Sequence, residues 1–301
     1  MGETTGGTPG APVRLGLALG GGGARGLAHI GVVRAILRAG IPIHVLTGTS
    51  MGAIVAVAFA LGDPERSGVL QKLEEGALRT PLAVAPGERE TLMSRLRRLV
   101  AAERILTSNV LGWGSPLLGD VMPLLNQLTR GLRLEDAPIR VGVVATDLET
   151  GERVVLTEGN AALAAMASAA LPMVFPPVRI GKRLLVDGGF VELVPVQAAR
   201  ELGADVVVAV DVSVEKAAAS VKSGLEALIR AAAICSRHHT DAILEQADLI
   251  LRPRFSVPID TLDFDKSRQA IEAGLRAGRE ALPAVIDLVR RRAALTRRSR
   301  T

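Results

Sequence analysis

Tyrosine is absent from this chain of 301 residues, and tryptophan and cysteine occur once each. Five Phe are the only other aromatics, so a core must be built from Leu, Val, Ile and Ala. The shortage of stacking side chains argues against nucleic acid as a partner. A single cysteine, Cys235, excludes an intramolecular disulfide and fits a reducing, cytoplasmic setting. Acidic residues are missing between Glu3 and Asp63. No basic n-region followed by an apolar run opens the chain, so no secretory signal is expected, and Gly6 stands where a myristoylation signal wants Ser or Thr. The most apolar long stretch, 161–178, is interrupted by Pro172, Pro176 and Pro177, which argues against a transmembrane span.

Glycine, by contrast, is abundant at 32 residues, and arginine carries nearly all of the positive charge behind a net charge of +5. Low Lys with high Arg, Ala and Gly points to a GC-rich bacterial source. Arg290, Arg291, Arg292, Arg297, Arg298 and Arg300 crowd the end of the chain. They fit either a solvated helix end, where cations complement the macrodipole, or peripheral contact with an anionic membrane surface.

Short apolar runs alternate with helical patterns. Strands are expected at 13–19, 43–47, 139–146, 153–157, 183–186 and 205–210, with a further one near Ile250. Helices are expected at 25–39, 51–61, 161–169, 195–202, 217–246 and 266–298. Residues 1–12 read as a disordered arm, and 65–130 as a helical, cap-like region. The alternation implies an α/β fold with a mainly parallel sheet covered on both faces, in one domain from 13 to 301.

Two glycine clusters carry the chemistry. Gly20-Gly21-Gly22-Gly23-Ala24-Arg25-Gly26 joins a strand to a helix and contains a dinucleotide-type G-x-G-x-x-G. A nucleotide site also wants an acidic residue about 20 positions on, and none is there. Successive glycines at a helix start can instead aim several N–H groups at one anion, such as a tetrahedral acyl-transfer intermediate. Arg25 is unfavourable for the first turn of a helix, which suggests a task elsewhere.

Gly48-Thr49-Ser50-Met51-Gly52 is a G-x-S-x-G sequence between a strand and an apolar helix, the setting of a nucleophile elbow. Ser50 could equally be a plain N-cap. A serine needs a base. His29, His44, His238 and His239 all fall inside predicted elements, not in a loop after a strand. Asp187 closes a predicted strand and begins Asp187-Gly188-Gly189; it reads as a base or as an Asp-Gly hairpin turn with 190–194 as the return strand. Asp147 and Asp211 also end predicted strands.

In this order, the Gly-rich run, Gly-Thr-Ser-Met-Gly and Asp-Gly-Gly resemble the patatin-like phospholipase family, over roughly residues 13–212. Gly26-Leu-Ala-His-Ile-Gly-Val-Val, Ala145-Thr-Asp-Leu-Glu-Thr-Gly-Glu and Ser168-Ala-Ala-Leu-Pro-Met-Val-Phe-Pro-Pro add to the resemblance. It implies a three-layer α/β/α fold with Ser50 on the elbow and a Ser50–Asp187 dyad without catalytic His. Gly21, Gly22, Gly23 and Arg25 match the family's oxyanion-hole motif. Gly48 and Gly52, with Gly188 and Gly189, are the motif glycines. The implied activity is hydrolysis of lipid carboxylic esters, with neither metal nor cofactor. Glu192 departs from the family, which often has Asn in that stretch, and this bears on substrate choice. Two other readings stand beside it: a Ser-His-Asp esterase using His238 or His239, and a non-catalytic adaptor on the same fold.

Overall fold

The computed structural model describes residues 13–62, 121–172, 174–213, 224–261 and 263–298. The expected arm at 1–12, and residues 63–120 of the expected cap, lie outside the described residues.

Eight strands form one sheet in the order β5-β6-β3-β2-β1-β7-β8, with β4 beside β3. The strands are β1 (Leu15–Leu19), β2 (Val45–Thr49), β3 (Arg140–Asp147), β4 (Arg153–Leu156), β5 (Val178–Ile180), β6 (Arg183–Asp187), β7 (Val206–Val210) and β8 (Leu249–Leu251). The centre, from β3 through β8, is parallel; β4, β5 and β6 join antiparallel. The expected sheet is therefore found, with a mixed edge. β2 begins two residues later than its apolar pattern suggests and runs through Gly48 to the serine.

Each central strand is buried on both sides, which is why its sequence is continuously apolar. Leu15, Leu17, Leu19, Leu46, Val206, Val208 and Val210 face one helical layer, while Ala18, Val45, Val207 and Ala209 face the other. The first layer holds α1 (Ala28–Arg38), α2 (Met51–Ala60), α3 (Met122–Thr129), α4 (Ala161–Ala169) and α7 (Ser267–Arg298). The second holds α5 (Val196–Glu201) and α6 (Gly224–Leu244).

Three expectations need correction. The helix expected from Arg25 begins as a 3-10 turn, Gly23–Leu27, whose Gly23, at φ 56°, and Gly26 are poor helix formers. Residues 190–194 form no return strand: Gly188–Phe190 is a 3-10 turn. α3, at the end of the expected cap, buries Leu125 and Leu128 in the core.

α7 runs alongside α1 in the same direction. The backbone of Gly274 lies against the Ala28 carbonyl, and Gly278 against Val32 and Ala35. Both helices lead away from the C-terminal edge of the central strands. Among the described residues no helix is long and apolar enough to cross a membrane.

Candidate active site

Ser50 follows the last residue of β2 and precedes α2, at the C-terminal edge of the parallel strands. Its φ of 56° and ψ of −124° make it a non-glycine residue with positive φ, a conformation that side chains avoid and that holds the hydroxyl out of the turn. Tight packing explains both flanking glycines. A Cβ at Gly48 would meet the Gly52 carbonyl at 2.3 Å, and one at Gly52 would meet the Leu19 carbonyl at 2.1 Å. The end of β1 is thus pressed against the start of α2, bringing the first glycine cluster beside the serine. The N-terminal pole of α2 favours negative charge developing on the Ser50 oxygen.

Asp187 ends β6 and is buried. Its Oδ1 accepts the Gly189 N–H at 2.8 Å. Burial pushes its pKa up to about 6, and hydrogen bonds from Gly189 and from the Ser50 side chain pull the other way. The elbow and the Asp-Gly-Gly turn therefore bring a hydroxyl and a carboxylate of near-neutral pKa together. Gly188 is required by close approach, since a Cβ there would sit 2.3 Å from the Val144 carbonyl.

Within the glycine cluster the N–H groups separate into two sets. Gly20 donates to the Val210 carbonyl, Gly21 to Leu193 and Ala24 to Thr261. Gly21, expected to donate to an oxyanion, spends its N–H on the fold, although its Cα lies next to Ser50. No described residue accepts from Gly22 or Gly23. Arg25 turns its Nη1 to the Ile259 carbonyl at 3.0 Å, and burial lowers its pKa against the raising effect of Asp260 and Asp263. With the Ala24 N–H on Thr261, this bond links residues 259–261 to the glycine cluster.

The histidines are engaged elsewhere. His29 is buried, with a pKa lowered to about 4 by desolvation, and its Nε2–H donates to the Gly20 carbonyl at 2.7 Å. It is a neutral brace under the glycine run. His44 accepts the Leu15 N–H at the opposite edge of the sheet. His239 donates to the Val191 carbonyl from the surface of α6, and His238 is exposed. Asp147 and Asp211 also have local partners: Asp147 accepts the Glu149 N–H, and Asp211 binds Ser213 and Arg252.

Glu192, noted above for substrate choice, is engaged inside the fold. Its carboxylate is fully buried, takes Arg153 Nη1 at 2.7 Å and accepts the Gln197 N–H at the start of α5. Ser168, which sequence reasoning did not single out, accepts the Ser50 N–H on its side-chain oxygen at 2.9 Å.

A family model described as patatin-like phospholipase matches residues 17–200, more than half of the chain. An uncharacterized NTE family protein of Mycobacterium tuberculosis is 30% identical over 317 residues, covering 92% of this chain and 48% of that protein. A patatin-like phospholipase domain-containing protein of Caenorhabditis elegans is 30% identical over 89% of this chain and 20% of its own length. The chain spans about half the length of its mycobacterial relatives. Among solved structures, the human GIVD cytosolic phospholipase A2 aligns with a TM-score of 0.49 at 12% identity, covering 94% of this chain and 60% of that one.

Proposed function

Because the chain belongs to the patatin-like phospholipase family, we propose that it hydrolyses carboxylic esters of lipids with Ser50 as nucleophile and Asp187 as base. The observation that carries the reading is the strained Ser50 elbow beside a buried carboxylate whose pKa is raised to about 6. Asp187 takes the Ser50 proton as Oγ bonds to the ester carbon. The oxyanion of the tetrahedral intermediate accepts the N–H groups of Gly22 and Gly23, and the helix pole of α2 adds to its stabilisation. Collapse expels the alcohol, which leaves with the proton held by Asp187. Water, deprotonated by the same carboxylate, then adds to the acyl carbon; the bond to Ser50 Oγ breaks, Oγ takes the proton back from Asp187, and the fatty acid is released.

A lipid is the favoured ester because of the surface around the site. Among the described residues, four of the seven exposed large hydrophobics lie at the edge that carries Ser50: Leu148, Leu171 and Val257 on loops, and Phe190 at the end of the 3-10 turn after Asp187. The reading is tested with a fluorescent alkyl fluorophosphonate and with fatty-acid release from lysophospholipids and acylglycerols. Labelling together with turnover supports it. A folded protein that does neither would leave the adaptor reading.

Two further outcomes follow from the geometry. The double variant His238→Ala, His239→Ala should keep its rate on a soluble ester within about threefold of wild type, because surface changes of this kind have small effects. A Ser-His-Asp enzyme would instead lose on the order of 10⁴-fold. The Arg-rich end of α7 points away from Ser50: at the opposite edge of the sheet, just before β7, the pKa of Asp205 is lowered against desolvation chiefly by Arg14, and Arg292 is near enough to add to it. Membrane contact through that end would turn the site away from the bilayer. Replacing Arg290, Arg291 and Arg292 by Ala should therefore leave fatty-acid release from anionic vesicles unchanged; a large loss would mean that this end brings the enzyme to its substrate.

A further inference from the structure

A nucleophile elbow has a weakness at its own N–H. Ser50 lies just past the last β2–β3 pair, Thr49 with Val144, and it is the N-cap of α2, so neither sheet nor helix supplies its N–H with an acceptor. A buried N–H without a partner is left desolvated and uncompensated by any hydrogen bond. That cost would add to the strain of the positive φ and favour relaxation of the turn.

The acceptor is the hydroxyl of Ser168, which is fully buried in the last turn of α4. The same hydroxyl donates to the Val144 carbonyl at 2.5 Å. That carbonyl packs against Gly188, directly after Asp187. Two residues beyond Ser168, the Ala170 carbonyl accepts the Asp187 N–H at 3.0 Å. One helix end thus grips the backbone of both reacting residues, with one hydrogen bond to each. It also abuts the strand on which the Asp-Gly-Gly turn rests.

We propose that Ser168 is a positioning residue for the hydrolysis: its hydroxyl holds the Ser50 elbow in register with Asp187 through the end of α4. This rests on Ser50 being the nucleophile. Ser168 touches neither substrate nor the Ser50 oxygen, so its loss should misplace the nucleophile and leave substrate binding alone. Misplacement by about 1 Å can cost on the order of 100-fold in rate.

The test compares wild type, Ser168→Ala, Ser168→Cys and Thr129→Val on a soluble p-nitrophenyl ester and by fluorophosphonate labelling rate, with thermal melting of each. Thr129 is the control, a buried hydroxyl bonded to the Leu125 carbonyl of its own helix. Ser168→Ala is expected to lower kcat and labelling roughly 10- to 100-fold with KM within about twofold. Ser168→Cys, close in volume and a poor hydrogen-bonding partner, should also lose rate, and serves if the Ala variant does not fold. Thr129→Val should keep wild-type kcat. Wild-type kcat in either folded Ser168 variant, or an equal loss in Thr129→Val, would overturn the proposal. A wild type that neither labels nor turns over would overturn the hydrolase reading itself, which is a distinguishable result.

Discussion

Ser50→Ala is expected to abolish fluorophosphonate labelling and to lower ester hydrolysis by at least about 10³-fold, because alanine leaves the elbow without an oxygen to attack. Whatever rate survives reports the oxyanion site and substrate binding, which remain in place. The fold should persist, since Ser50 makes its structural hydrogen bond through the backbone N–H and an alanine keeps that donor. The elbow itself adds a second expectation. Its φ of 56° and ψ of −124° suit glycine alone, and holding such a residue costs on the order of 1–3 kcal/mol. Alanine retains that cost and glycine relieves it. Ser50→Gly should therefore be as inactive as Ser50→Ala and melt at a higher temperature. Labelling that survives in Ser50→Ala would place the nucleophile elsewhere. A glycine variant no more stable than the alanine one would mean that the elbow stores no strain.

Much of this site is legible in the residues because its constraints are local. A strand, a serine between two glycines and an apolar helix specify the elbow, since without Cβ atoms at Gly48 and Gly52 the ends of β2 and β1 can lie against the start of α2. The long-range features are hidden for physical reasons. Four successive glycines look equivalent in sequence, and only the carbonyls of Val210 and Leu193 decide that the N–H groups of Gly20 and Gly21 serve the fold. Ser168 looks like one more small residue in an Ala-rich helix; its task depends on where α4 ends relative to β2. Glu192 stands out in sequence only as a carboxylate near Asp187; that Arg153, 39 positions away, pairs with it is decided by the fold. β5 escapes notice because three residues between Pro177 and Gly181 carry too little pattern to announce a strand. Asp-Gly suggests a hairpin, and the sequence does not disclose that the Ala170 and Val144 carbonyls confine the turn from outside.

Asp187→Asn should remove most of the activity, about 10²- to 10⁴-fold, because an amide of the same shape can face Ser50 yet cannot accept its proton. The carboxylate also dictates how the wild type responds to pH. Its pKa is raised from 3.8 to about 6 by burial. Only the ionised form is a base, so the labelling rate should climb about tenfold per pH unit below 6 and level off above it. Stability moves in the opposite direction. Between pH 4 and 6 the native state keeps a proton that the unfolded chain has released, so stability falls as pH rises through this window and is level above it. The shift corresponds to a penalty on the order of 3 kcal/mol at neutral pH. Asp187→Asn escapes it, and should melt above the wild type at pH 7.5 while the two converge near pH 4. A labelling rate independent of pH between 5 and 7, or an Asn variant with wild-type turnover, would show that another group accepts the proton. An Asn variant that is inactive and also more stable at neutral pH would show that burying a charge beside Ser50 costs the fold stability and supplies the base.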